Sequence, residues 1–346
     1  MDAVSLFSGA GGLDYGLEQA GFSIRVQVDS DPWCVRTLRA NWHAFSGSPL
    51  ILQEDVRRLD PEDVRKRVGL GKVTLLCGGP PCQPFSHAGR RMGLRDPRGL
   101  LVYEFLRFVE ALQPDLFLFE QVYGFKTARL PETGQSLADW YSEECSRLGY
   151  SVTSAVLDAA DYGTPQRRKR LFVVGCRHSC PPDLPAPTHL PLFGQPPVTL
   201  REALAGLDDA RRDGAVNFSR RVREVLEQVP PGGDWRDLPE PLRSQVMPRG
   251  TGNGGRTSFF RRLSWDEPSP TVTGHPWRHL ACMCHPDETR PLTIRELARL
   301  QGFPDWWRFE GPVRKRYQQV GNAVPVQLAR ALGMALLSHV RGRDHG

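Results

Sequence analysis

Short apolar runs alternate with amphipathic stretches over the first half of the chain, and glycine or small polar residues separate them. Apolar segments at residues 3–7, at residues ending with Asp29, and at 50–52, 73–77, 116–120, 152–157 and 171–175 have the length of strands. Leu13, Leu17 and Ala20 fall on one face of a helix, another helix begins near Pro32, and residues 100–112 and 137–148 carry the same helical spacing. Strands alternating with helices predict an α/β fold, a mostly parallel sheet covered on both faces. In such sheets ligands sit beyond the carboxyl ends of the strands.

The pattern breaks after Cys180. "CPPDLPAPTHLPLFGQPP" is too rich in proline for a helix or a central strand and reads as a crossing linker. Residues 186–275 then carry Arg220, Arg221, Arg223, Arg249, Arg256, Arg261 and Arg262 among glycine-rich loops. Further on, "PLTIRELARLQGFP" predicts a helix started by Thr293 and stopped near Gly302, and Asn322 marks a turn before a long amphipathic helix from about Pro325. The expected organisation is a first part at 1–185, an inserted block at 186–275 and a return to the first part at 276–346.

Composition adds two constraints. Lys+Arg at 45 against Asp+Glu at 39 gives a formal charge of +6, which suits an anionic partner without a basic tail. Eight cysteines with no apolar leader and no run of spanning length predict a reduced, soluble, cytoplasmic protein without disulfides. Cys176, His178, Cys180, Cys282, Cys284 and His285 do not fall at paired zinc-ligand spacings, so no metal is expected.

Candidate chemistry concentrates at two turns. Gly9, Gly11 and Gly12 follow the first strand and Asp29 ends the second, which suits a nucleotide-containing cofactor, although the spacing is not the dehydrogenase fingerprint. Asp55, after the third strand, is either a contact to an adenine amino group or a helix N-cap. The second turn is "TLLCGGPPCQPFS", in which two prolines stiffen the backbone and present one thiol, Cys82. A packing cysteine needs no such arrangement; a reactive one does.

In this order, "FSGAGGLDYGLEQAGF", "GGPPCQPFS", "FEQV", "QRRKR", "RELARLQGFPDWW" and "VGNAVP" resemble the motifs of the DNA (cytosine-5) methyltransferases, over residues 3 to about 180 and about 265 to 335. The resemblance implies a Rossmann-like S-adenosylmethionine-dependent methyltransferase sheet with a smaller target-recognition domain at 186–275. It implies a cofactor cleft of Phe7, Gly9, Gly11, Gly12, Leu13, Asp29, Ser30, Asp55, Val56, Gly79, Pro80, Asn322, Ala323 and Val324. Cys82 would add to carbon 6 of cytosine. Glu120 would assist at ring nitrogen 3, Arg170 would hold the carbonyl oxygen and steady Glu120, and Arg168 would sit beside them. Gln83, Ser86 and Gln166 would contact duplex DNA, and so would Arg256, Arg261 and Arg262 of the unmatched central block, whose arginines among glycine-rich loops suit phosphate and base-edge contacts. The implied chain is a monomer away from membranes, with a cognate restriction or defence protein as a candidate partner.

One position departs from the pattern: Gln121 follows Glu120 where the family usually has asparagine. Amino-methylating enzymes carry an acid or asparagine where this chain has Cys82, which points to carbon as the target. Two alternatives stay open on the residues alone: a tRNA cytosine-5 methyltransferase and a catalytically weak DNA-binding homologue.

Overall fold

The computed structural model describes residues 1–81, 100–130, 133–207, 215–246 and 258–343. Two compact units divide the chain: Met1–Asp158, Lys169–Pro187 and Val324–Gly346 make the first, and Ala159–Arg168 with Thr188–Ala323 the second. Strands β1 (Asp2–Leu6), β2 (Ser23–Asp29), β3 (Leu50–Gln53), β4 (Leu75–Gly78), β5 (Leu116–Val122), β6 (Ser151–Asp158) and β7 (Lys169–Cys176) form one sheet in the first unit, ordered β3-β2-β1-β4-β5-β7-β6. The helices are α1 (Gly12–Ala20), α2 (Pro32–Ala40), α3 (Pro61–Arg67), α4 (Leu101–Leu112), α5 (Tyr123–Thr127), α6 (Leu137–Arg147), α7 (Leu200–Leu204), α8 (Arg220–Leu226), α9 (Leu242–Val246), α10 (Ile294–Leu300), α11 (Val313–Asn322) and α12 (Val326–Arg343).

Strands β3, β2, β1, β4 and β5 pair in parallel, whereas β7 runs antiparallel to both β5 and β6. The alternation of elements predicts the parallel part. The antiparallel pair arises because no crossover helix joins β6 to β7, and a parallel return requires one or a connection of similar length. Leu116, Phe117, Leu118 and Phe119 of β5 are all fully buried. A central strand covered on both faces reads as an unbroken apolar run for this reason. Phe119 stacks on Tyr141 of α6 with centroids 4.3 Å apart and meets Phe105 of α4 edge-on. That packing anchors the strand whose next residue is Glu120.

The second unit has its own core, with Phe218, Leu226, Trp235, Phe259, Phe260, Cys282 and Cys284 in one cluster. Two expectations change here. The return to the first unit comes at Val324 rather than 276, because residues 282–285 bond back along 258–263: Cys284 N–H donates to the Arg261 carbonyl at 3.2 Å and Leu263 N–H to the Cys284 carbonyl at 3.0 Å. Asn322 ends α11 instead of sitting in a turn, and Ala323 is its C-cap. The predicted helix after Thr293 is present as α10, with Thr293 and Glu296 forming a reciprocal capping box.

Candidate active site

The glycine turn joins β1 to α1. Phe7 leaves the strand at φ 57, and Gly9 and Gly11 continue at φ 57 and 83. Glycine adopts such angles without strain, but a bulky aromatic does not, and residues held this way concentrate at ligand sites. Gly11 caps α1 without any side-chain hydrogen bond. The amino end of α1 therefore presents backbone N–H groups suited to an anionic group such as a carboxylate. Asp29, at the end of β2, accepts from Gly9 N–H and Asp31 N–H, each at 2.8 Å. Burial pushes its carboxyl above the ordinary range, while these amide hydrogen bonds oppose the rise. Each oxygen retains a lone pair for a hydroxyl. Glycine cradle, open helix end and acid thus fit a carboxylate-bearing, ribose-bearing cofactor.

Asp55 shows the N-cap geometry. It accepts from Arg57 N–H at 3.0 Å and pairs with the Arg57 guanidinium, which draws its carboxyl below the usual range. Val56 is buried against the core, Leu13 is buried in the first turn of α1, and Ser30 is exposed beside Asp29.

The carboxyl ends of β4 and β5 lie side by side, pairing Gly78 with Phe119. Gly79 follows β4, and a Cβ there would stand 2.6 Å from Glu120 Oε2, so glycine is what lets the two segments approach. Arg170 of β7 places Nε 3.1 Å from Glu120 Oε1, with both side chains about seven-eighths buried at 14% and 12% exposure. Gln121 is fully buried and its Nε2 donates to the Pro80 carbonyl at 2.8 Å. Two residues further on comes Cys82. The glutamine at this unusual position thus ties β5 to the segment that leads into the thiol.

Replacing Gln121 with alanine strands the Pro80 carbonyl in a dry site, a loss of about 1–3 kcal/mol. Denaturant unfolding should read that loss. Methylation should slow further than stability alone explains, whereas cofactor affinity stays close to wild type. Unchanged unfolding would remove the tether.

The "QRRKR" motif is divided, with Arg170 in β7 of the first unit. Gln166 and Arg168 are both buried inside the second unit. Gln166 accepts from Val272 N–H at 2.7 Å and donates to the Leu300 carbonyl at 3.0 Å. Arg168 donates to the Val272 and Gly321 carbonyls, both at 3.0 Å. Gln166 also donates to Gln301 Oε1 at 2.9 Å, so in this structure both side chains brace buried neighbours rather than occupying the DNA-contact and catalytic positions expected of them. Arg262 is likewise corrected: it donates to the carbonyls of Val229 at 2.8 Å and Leu226 at 2.6 Å, and to Thr289 Oγ1 at 2.8 Å, inside the core. Its half-buried neighbour Arg261 lines a cavity of about 370 Å³ with Arg167, Arg236, Asp234 and Glu267, and Arg262 borders the same cavity. Cys82, Gln83, Ser86 and Arg256 lie outside the described residues.

Pattern reasoning passed over Ser5, Asp14 and Gln27, which form a buried hydrogen-bonded group under the glycine turn. The available signal was a polar residue inside each of two apolar strands, "AVSLF" and "RVQVD". Among the described residues no cluster of three or more His, Cys, Asp or Glu could hold a metal ion.

Residues 1–338 match the family model of the C-5 cytosine-specific DNA methylases. The chain belongs to that family. Among curated relatives it is 39% identical to the type II methyltransferase M.PspPI of Psychrobacter sp. (strain TA137), covering 96% of this chain and 78% of the relative. It is 38% identical to M.Eco47II of Escherichia coli with the same coverage. The solved structure of an Escherichia coli prophage DNA modification methyltransferase matches with TM-score 0.72 and 26% identity over 99% of both chains. The Dnmt2 methyltransferase of S. pombe, at 18% identity and TM-score 0.64 over 98% of this chain and 99% of its own, shares the fold. This cytosine-5 methylase is therefore a DNA methyltransferase with type II restriction–modification relatives.

Proposed function

We propose that the chain transfers a methyl group from S-adenosylmethionine to carbon 5 of a cytosine flipped out of duplex DNA, through a covalent adduct of Cys82 at carbon 6. The observation that carries this reading is the convergence of Gly79, Pro80, Glu120, Gln121 and Arg170 at adjoining strand ends, two residues before the cysteine. Carbon 5 is a poor nucleophile until a thiolate adds at carbon 6. The new sulfur–carbon bond breaks the ring's aromaticity, and Glu120 accommodates the charge developing at nitrogen 3. Arg170 holds Glu120 and the base carbonyl oxygen. S-adenosylmethionine, when bound, supplies the methyl group that carbon 5 takes. Loss of the carbon 5 proton then expels the Cys82 thiolate and restores the ring. Carbon 6 cannot be reached within a stacked duplex, which requires flipping.

The glycine turn, Asp29, Phe7 and Val324 belong to the cofactor side of this reading. Asp29→Ala should weaken S-adenosylmethionine binding by about 1.5–3 kcal/mol through lost charge-assisted hydrogen bonds. Calorimetry giving wild-type affinity would take Asp29 out of the cleft. On the DNA side, Arg261→Ala should reduce the slope of log affinity against log salt by roughly 0.9 for each phosphate contact removed. Arg262→Ala should instead unfold readily, losing about 3 kcal/mol or more, because it leaves several buried carbonyls without donors. An unchanged salt slope in Arg261→Ala would move recognition elsewhere.

The monomeric enzyme would act in the cytoplasm on nucleoid DNA, in a restriction–modification or phage-defence setting with a cognate nuclease. Tritium transfer from labelled S-adenosylmethionine to duplex DNA and to tRNA, followed by nucleoside analysis, tests the reading. Label in 5-methylcytosine of DNA supports it. Label in tRNA alone, or in an exocyclic amine, overturns it.

A further inference from the structure

Under the glycine turn lies a carboxyl that methyl transfer does not use. Asp14, in the first turn of α1, is fully buried. It accepts from Ser5 Oγ of β1 at 2.6 Å and from Gln27 Nε2 of β2 at 2.7 Å. Ser8 Oγ donates to Ser5 Oγ at 2.9 Å, and the Ser8 carbonyl accepts from Gly11 N–H at 2.9 Å. Asp14 is thereby linked through two serines to the residue from which the turn departs. The whole path is internal to the first unit.

Gln27 carries the second observation. Its Oε1 is buried with no hydrogen-bond partner. An ionised Asp14 accepts only, so it needs the amide nitrogen facing it, as found. A protonated Asp14 must donate, and rotation of the Gln27 amide would bring Oε1 to the place of Nε2. Ser5 can donate to either form. One glutamine can therefore serve both protonation states by rotation of its amide alone.

We propose that Asp14 is a positioning residue of the cofactor turn, and that its protonation, with rotation of Gln27, lowers the turn's preference for S-adenosylmethionine over S-adenosylhomocysteine. This role rests on the cofactor reading above and on charge. The methyl donor carries a sulfonium in addition to its ammonium and carboxylate, hence one net positive charge, whereas the demethylated product is neutral overall. A buried negative charge beneath the turn favours the first over the second, and a neutral carboxyl does not. The transition falls in an accessible range, since burial raises the Asp14 carboxyl to about 6 against the opposing hydrogen bonds of Ser5, Gln27 and Ser8. The titratable groups facing it are Asp29, which raises it further, and the Cys77 thiol of β4, which burial and then the Asp14 charge push up. Helix α12 approaches at Gly16 with the Val326 carbonyl and Ala329, and the Arg330 side chain there is exposed.

Calorimetry of both ligands from pH 5 to pH 8 tests the inference. For the wild type, the ratio of affinities should shift toward S-adenosylmethionine by roughly threefold to tenfold as pH rises, the scale of one unit charge acting through protein. Asp14→Asn keeps the shape, pairs its amide with Gln27 Oε1, and should hold the ratio at the low-pH value throughout. Should that variant fail to fold, the wild type still decides. Near pH 6 the binding heat of S-adenosylmethionine should depend on the buffer's ionisation enthalpy, because binding releases a proton, and that of S-adenosylhomocysteine should depend on it much less. A ratio and heats independent of pH and buffer, or an Asp14→Asn variant with the wild-type pH dependence, overturns the inference. Failure of both ligands to bind at any pH would instead overturn the cofactor reading.

Discussion

On duplex DNA containing 5-fluorocytosine at the target, the protein should become covalently attached in the presence of S-adenosylmethionine, and the band should survive denaturation. Cys82 addition at carbon 6 and methylation at carbon 5 can both proceed on the fluorinated base. The next step cannot, because fluorine would have to leave as a cation where a proton normally departs. The sulfur–carbon bond then has no route to break. Cys82→Ala should form no such band and should methylate ordinary DNA about 10⁴-fold to 10⁶-fold more slowly, as other enzymes do when a covalent nucleophile is removed. It should still bind unmodified DNA, since the thiol contributes little to recognition. An enzyme that methylates an exocyclic amine forms no bond to the base, and a pure binding protein forms none either, so neither alternative produces the band. Undiminished trapping by Cys82→Ala would falsify the role of this cysteine.

Much of the first unit follows from hydrophobic periodicity because β2, β1, β4, β5 and β7 are internal to the sheet, with only β3 and β6 at its edges. β5 shows as "LFLF" since helices cover both faces, and β2 ends at Asp29 where the buried run stops. The antiparallel placement of β7 was not legible, because period and composition are the same for either strand direction. Nor was α3, a seven-residue helix from Pro61 to Arg67 with only Pro61 and Val64 buried. A single buried turn leaves too weak a pattern. The second unit was read as ending near 275 because its later part resumes helical spacing. What binds residues 282–285 to 258–263 is backbone pairing between loops, which no side-chain pattern records.

The site separates in the same way. Two residue types with one obvious use lie where the pattern put them, Gly9 and Gly11 at positive φ and an acid, Asp29, at the end of β2, whereas the cysteine after two prolines lies outside the described residues. Arginines and glutamines were less legible, because their side chains satisfy a phosphate, a base edge or a buried carbonyl equally well. Adjacent residues show how little the letter decides: Arg262 is buried with its guanidinium among backbone carbonyls, while Arg261 is only half-buried beside it. Gln121 is the reverse case. It departs from the usual asparagine, yet the longer side chain reaches the Pro80 carbonyl at 2.8 Å and holds the approach to Cys82. The substitution therefore gives no physical reason to expect an inactive binding module.

Glu120→Gln should lower kcat by about 10²-fold to 10⁴-fold, the range of general acid–base catalysis, with cofactor affinity unchanged. Glutamine keeps the length of the side chain and an oxygen for Arg170 Nε, which lies 3.1 Å from the native carboxyl. It cannot carry a proton to nitrogen 3. Trapping on 5-fluorocytosine should slow by the same factor without disappearing, because the thiol remains and only its assistance is lost. Gly79→Ala approaches the same group from outside: its Cβ would press within 2.6 Å of Glu120 Oε2, and Arg170 restricts where the carboxyl can go. A displacement of that size should cost up to about 10²-fold in rate, with no chemical change in the acid. Arg170→Lys loses the guanidinium geometry while keeping the charge, so it should fall between wild type and Glu120→Gln. Single-turnover methylation separates these effects from product release. If Glu120→Gln turned over within a factor of about three of wild type, nitrogen 3 would need another partner, and the Glu120–Arg170 pair would be left with a structural role.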